Sequence, residues 1–112
     1  LAATLVEIAS RRKLGVEVYE SALPVREEVR GACEILGLDP TMVANEGKLV
    51  AFVPEEDASA VLDAMRAHPL GRNAARIGTV TSEHAGMVVV RTPFGSTRVL
   101  DLPLTEPLPR IC

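Results

Sequence analysis

Met87-Val88-Val89-Val90-Arg91-Thr92-Pro93-Phe94-Gly95-Ser96-Thr97-Arg98-Val99-Leu100 decides the fold class. Two β-branched, apolar runs, Met87–Arg91 and Thr97–Leu102, flank Pro93-Phe94-Gly95, a turn sequence. Ile77–Val80 precedes them as a third such run, separated by Glu83–Gly86. Together they predict three successive strands folded as an antiparallel meander.

The chain upstream reads differently. Leu5, Ile8 and Ala9 recur at helical spacing, and Arg11, Arg12 and Lys13 stand where cations complement a helix C-terminus. Leu1 opens this helix with no N-capping side chain, which suggests a domain cut from a longer protein. Gly15 breaks the helical pattern, and Val16–Tyr19 alternates as a strand does. Pro24 suits the first turn of a second helix whose apolar face is Val25, Val29, Ala32, Cys33 and Leu36, ended by Gly37. Gly31 inside that helix predicts close packing. A loop runs over Leu38–Gly47, and Leu49–Val53 reads as a short buried strand. Pro54 and the acids Glu55, Glu56 and Asp57 open a third helix with an apolar face of Ala58, Val61, Leu62 and Met65. His68-Pro69 ends it. The order α-β-α-β-α-β-β-β is α+β, with helices packed on one face of a mixed or antiparallel sheet. Residues 1–102 form this domain, and 103–112, with three prolines, form an extended tail.

Composition narrows the function. A chain of 112 residues suits one domain. At 47% hydrophobic and 3% aromatic, its core is aliphatic. The formal charge of −3, without a dense basic stripe or stacking aromatics, disfavours nucleic-acid binding. No run is long and apolar enough for a membrane helix, and no basic-then-apolar leader opens the chain. Two cysteines without such a leader suit a reducing, cytoplasmic setting.

The chemistry-bearing candidates are few. Cys112 ends the chain in Pro109-Arg110-Ile111-Cys112. A proline-rich arm extends about 3.1 Å per residue, so ten residues can carry this thiol roughly 30 Å. The terminal carboxylate opposes a thiolate and Arg110 favours it, so an acceptor modified by another enzyme fits better than a fast nucleophile. Cys33, on an apolar helical face, reads as packing. Asn45-Glu46-Gly47 places a carboxylate on a loop before an apolar run, although on these residues alone an ordinary solvated turn fits better. His68 and His84 lack partners at metal-binding spacing, so no metal site is expected. Glu55-Glu56-Asp57 reads as a charged first turn. GxSxG, P-loop and GxGxxG signatures do not occur.

Several segments together resemble the HypE family of [NiFe]-hydrogenase maturation. They are Leu1-Ala2-Ala3-Thr4-Leu5, Glu7-Ile8-Ala9, Pro24-Val25-Arg26, Cys33-Glu34-Ile35-Leu36-Gly37-Leu38-Asp39-Pro40, Ala44-Asn45-Glu46-Gly47-Lys48 and the closing Pro109-Arg110-Ile111-Cys112. The resemblance is to the family's C-terminal domain, similar in fold to aminoimidazole-ribonucleotide synthetase. It covers the whole chain, and the closing four residues are its most specific part. It implies a carbamoyl dehydratase. The family's terminal cysteine, matched by Cys112, receives a carbamoyl group from HypF, and ATP-dependent dehydration turns the S-carboxamide into a thiocyanate. The cyano group then passes to iron on a HypC–HypD complex. Glu46 matches the acidic residue that removes amide protons, with Asn45, Gly47 and Arg110 positioning the substrate-bearing tail. The resemblance further implies ATP with Mg2+, held mainly by an N-terminal domain that also forms a homodimer and is absent from this chain. The chain alone is therefore expected to be inactive. Two other readings stay open: a non-catalytic α+β interaction module, or another superfamily member such as a selenophosphate synthetase or thiamine-phosphate kinase.

Overall fold

The computed structural model describes residues 1–102; residues 103–112 lie outside the described residues. In chain order the elements are α1 (Ala2–Arg12), β1 (Gly15–Tyr19), α2 (Glu27–Leu36), α3 (Ala58–Ala67), β2 (Gly78–Thr81), β3 (Val88–Arg91) and β4 (Thr97–Leu100). Single 3-10 turns at Glu20–Ala22, Glu55–Asp57 and Pro69–Gly71 join them. The four strands form one mixed sheet in the order β2-β1-β3-β4. β1 runs antiparallel to β2 and parallel to β3, while β3 and β4 form the expected hairpin. The α+β class and the mixed sheet are as the sequence indicates.

The meander is corrected. β2 and β3 are not neighbours, because β1 lies between them. The connection from β2 to β3 crosses the start of β1 instead of closing a hairpin. Gly86 N–H donates to the Leu14 carbonyl and Val16 N–H to the Met87 carbonyl, at 2.9 and 3.0 Å. A Cβ on Gly15 would lie 1.7 Å from the Glu83 carbonyl oxygen. Gly15 is thus a crossing point of two backbones, where no side chain fits. It does not end α1; Lys13 does so, in the left-handed conformation at φ 56°.

Three local expectations also change. Leu49–Val53 forms no strand, and Leu49, Phe52 and Val53 stay exposed while Val50 alone packs against the core. A short apolar run does not declare its conformation, since pairing depends on neighbours distant in sequence. On α2 only Cys33 is buried; Val29 and Leu36 are exposed, and Arg26, not Pro24, borders the first turn. A Cβ on Gly31 would meet nothing within 4 Å, so close packing does not explain that glycine.

The core follows the sheet's alternation. Val16 and Val18 of β1, Val88 and Val90 of β3 and Leu100 of β4 share one face by register. Ala2, Leu5 and Ala9, at i, i+3 and i+7 along α1, bury against them. Ala9 and Ala2 are small enough for α1 to approach the sheet closely.

Candidate functional site

The loop between Gly37 and Gly47 carries the predicted carboxylate, and its base is firmly tied. Gly37 ends α2 at φ 66°, and Leu38 N–H donates to the Cys33 carbonyl at 2.8 Å. Asp39 then organises the turn. Its Oδ1 accepts from the Thr41 backbone N–H at 2.9 Å and from the Thr41 hydroxyl at 2.7 Å. Its Oδ2 accepts from Arg98 Nη2 on β4 at 2.9 Å. Arg98 also lies 3.8 Å from Glu20. The Thr41 carbonyl accepts the N–H of Ala2, so the loop supplies the α1 N-terminus with the cap that Leu1 does not. Met42 and Val50 flank the loop tip and pack on the core.

Asn45, Glu46 and Gly47 stand together beyond this base, all exposed. Gly47 has φ 72°, and a Cβ there would meet nothing within 4 Å. The glycine serves the turn's left-handed backbone and not a close contact. Cys112 and Arg110 lie outside the described residues. Asn45, Glu46 and Gly47, neighbours in the sequence, share this exposed loop tip. Asp39, Thr41 and Arg98 were not anticipated as a unit. Asp39-Pro40-Thr41 carries an Asx-turn signal, whereas nothing in the sequence ties Arg98 to it.

Burial pushes the Asp39 carboxyl up, but the Thr41 hydroxyl and N–H and the Arg98 charge together outweigh it and lower its pKa. A depressed folded-state pKa contributes stability above the ordinary carboxylate range, lost as pH falls through the folded value. Asp39→Asn removes that titration. The melting temperature of the wild type is expected to exceed that of Asp39→Asn at neutral pH, and the gap to close as pH drops below about 4. Melting curves across pH check this; a gap independent of pH would remove the ionised Asp39 from the loop's support.

A second polar cluster lies across the sheet. Glu17, buried on β1, accepts from Arg91 Nε and Nη2 at 2.8 and 3.0 Å, a two-pronged pair between parallel neighbours. Hydrogen bonding from Arg91 lowers the Glu17 pKa, against the opposing effect of burial, and the charges of Arg91 and His84 add to it. Ligand atoms of Glu17, Glu83 and His84 lie within 4.8 Å of one another. The isolated appearance of His84 in sequence hid this grouping, because the crossing connection creates it. Both Glu17 oxygens already serve Arg91, so Glu17 is committed to that ion pair. His68 behaves as a helix-end residue, with Nδ1 accepting from Leu70 N–H at 3.1 Å.

Residues 1–91 match the protein family described as AIR synthase related protein, C-terminal domain. The chain belongs to this family. Within the AIR synthase-related C-terminal domains, its similarity is to HypE, as the closing residues and loop segments indicated. Over 112 residues it is 54% identical to the carbamoyl dehydratase HypE of Rhodobacter capsulatus, covering 100% of this chain and 33% of that protein. A crystal structure of hydrogenase maturation protein HypE in complex with ATP superposes with a TM-score of 0.88 at 47% identity, over 96% of this chain and 34% of that one. A HypE–HypF complex structure matches at a TM-score of 0.85 and 38% identity, over 91% and 33%. The chain thus spans about a third of the length of the curated relatives it matches. No helix among the described residues is long and apolar enough to cross a membrane.

Proposed function

We propose that this chain is the C-terminal domain of an ATP-dependent carbamoyl dehydratase acting in [NiFe]-hydrogenase maturation. Identity of 54% to a carbamoyl dehydratase HypE over the whole chain is the observation that carries this reading. Cys112 holds the substrate as an S-carboxamide, and the product is the thiocyanate on the same sulfur. The amide oxygen leaves with the phosphoryl group from ATP, and the nitrogen loses two protons as the C≡N bond forms. ATP, with Mg2+, supplies the phosphoryl group that makes this oxygen a leaving group. Glu46 removes amide protons, since a carboxylate on an anchored loop can be brought within hydrogen-bond reach of the bound amide. Asn45 and Gly47 shape the loop, and Arg110 helps seat the tail. The reaction is cytoplasmic, in a full-length homodimer whose N-terminal domain binds most of the nucleotide. HypF loads the carbamoyl group, consistent with the complex solved for a similar protein, and a HypC–HypD complex receives the cyano group.

The test is peptide mapping of the modification. The full-length protein carrying this domain is incubated with HypF, carbamoyl phosphate and ATP, then digested and analysed by mass spectrometry. The carbamoyl and cyano adducts are expected on the peptide ending in Cys112. An adduct on any other residue overturns the reading, and would leave an α+β interaction module in its place.

A further inference from the structure

Four of the nine arginines among the described residues have a carboxylate partner. Arg11 pairs with Glu7, Arg76 with Glu55, Arg91 with Glu17, and Arg98 with Asp39 and Glu20. The other five, Arg12, Arg26, Arg30, Arg66 and Arg72, have no such partner among the described residues, and three of them, Arg26, Arg66 and Arg72, line one open cleft of about 430 Å³. Asn73 lines it too, with a wall formed by Pro24 and Ala75, and none of its lining among the described residues is acidic. The cleft joins the start of α2 to the segment after α3. Arg66 Nε donates to the Ala74 carbonyl at 2.9 Å, which fixes one guanidinium at the rim. Three cationic side chains thus share the lining of one cleft, in a chain whose net charge is −3.

We propose that this cleft binds a phosphate-bearing anion. One carboxylate would balance one arginine and leave two opposed. A phosphate or polyphosphate carries two or more charges and several acceptor oxygens, which suits planar guanidinium donors and the Asn73 amide. The volume lies within the usual range for small-ligand sites. The chemistry is shared by a nucleotide's phosphates and by free phosphate or pyrophosphate. The site is separate from the loop of Glu46 and needs no carbamoyl group, so it stands or falls independently of the dehydratase reading.

Pyrophosphate titrated into the chain, followed by amide NMR shifts and calorimetry, tests the proposal. Saturable binding is expected, with shifts centred on Arg26 and 72–75. Arg72→Ala and Arg26→Ala are each expected to weaken it about tenfold, the loss of one charge-assisted contact. All three arginines are exposed, so these variants keep the fold. Arg12→Ala, outside the cleft, is expected to leave affinity unchanged. ATP binding more tightly than pyrophosphate would identify a nucleotide source, and equal affinities would identify the phosphate moiety alone. No saturation by about 10 mM, far weaker than usual ligand affinities, overturns the proposal. So does binding that Arg72→Ala and Arg26→Ala leave intact.

Discussion

Glu46→Gln in the full-length protein is expected to slow thiocyanate formation about 10²–10⁴-fold while carbamoylation proceeds normally. That range corresponds to roughly 3–5 kcal/mol of transition-state stabilisation. Glutamine keeps the size and an acceptor oxygen but cannot take a proton at neutral pH. The S-carboxamide should therefore accumulate, visible by mass as a carbamoyl adduct that persists when ATP is present. The geometry makes the experiment clean. The loop is held by Asp39, Thr41 and Arg98, and no hydrogen bond to the Glu46 side chain occurs among the described residues. Glu46 is exposed, so its replacement should change stability by no more than about 0.5 kcal/mol. Thiocyanate appearing at the wild-type rate would take Glu46 out of the chemistry. A variant that fails to be carbamoylated would instead point to a role in docking the tail or HypF.

What could be read in advance follows from how local each cause is. The β3–β4 hairpin rests on a turn sequence between two β-branched runs, all within fourteen residues, and it forms as expected. The helices rest on apolar spacing and charged ends, and each appears within a few residues of its expected span. The central place of β1 rests on pairing with strands some sixty to seventy residues away, and no local pattern encodes that. Its trace is Gly15, which looks like a helix stop in sequence and is a crossing point in space. Leu49–Val53 failed as a strand for the complementary reason: hydrophobicity reports a wish for burial, but not which surface supplies it. The site divides in the same way. Asn45-Glu46-Gly47 is contiguous and legible as a loop, whereas its support reaches from Asp39 to Arg98 on β4 and so could only be seen in the fold.

Leu5→Ala is expected to cost about 2–5 kcal/mol of stability, against a total near 5–15 for a domain of this kind. Leu5 is 2% exposed and belongs to the cluster of Val16, Val18, Val88, Val90 and Leu100. Removing its branched end leaves a cavity under α1, and flanking Ala2 and Ala9 have no atoms to fill it. Ile35→Ala gives the contrast. That side chain is as large but 86% exposed, so its loss should change stability by no more than about 0.5 kcal/mol. Urea unfolding of the two variants measures the difference, as a midpoint lowered at constant slope for Leu5→Ala. Equal costs would mean that α1 does not seal the sheet. The consequence reaches the candidate site, because α1 begins where the Thr41 carbonyl receives the Ala2 N–H. A loosened α1 frees that carbonyl and with it one tie of the Glu46 loop. Hydrogen exchange in Leu5→Ala should therefore rise at Ala2 and at Thr41 and Met42, before global unfolding, while the β3–β4 hairpin amides keep most of their protection.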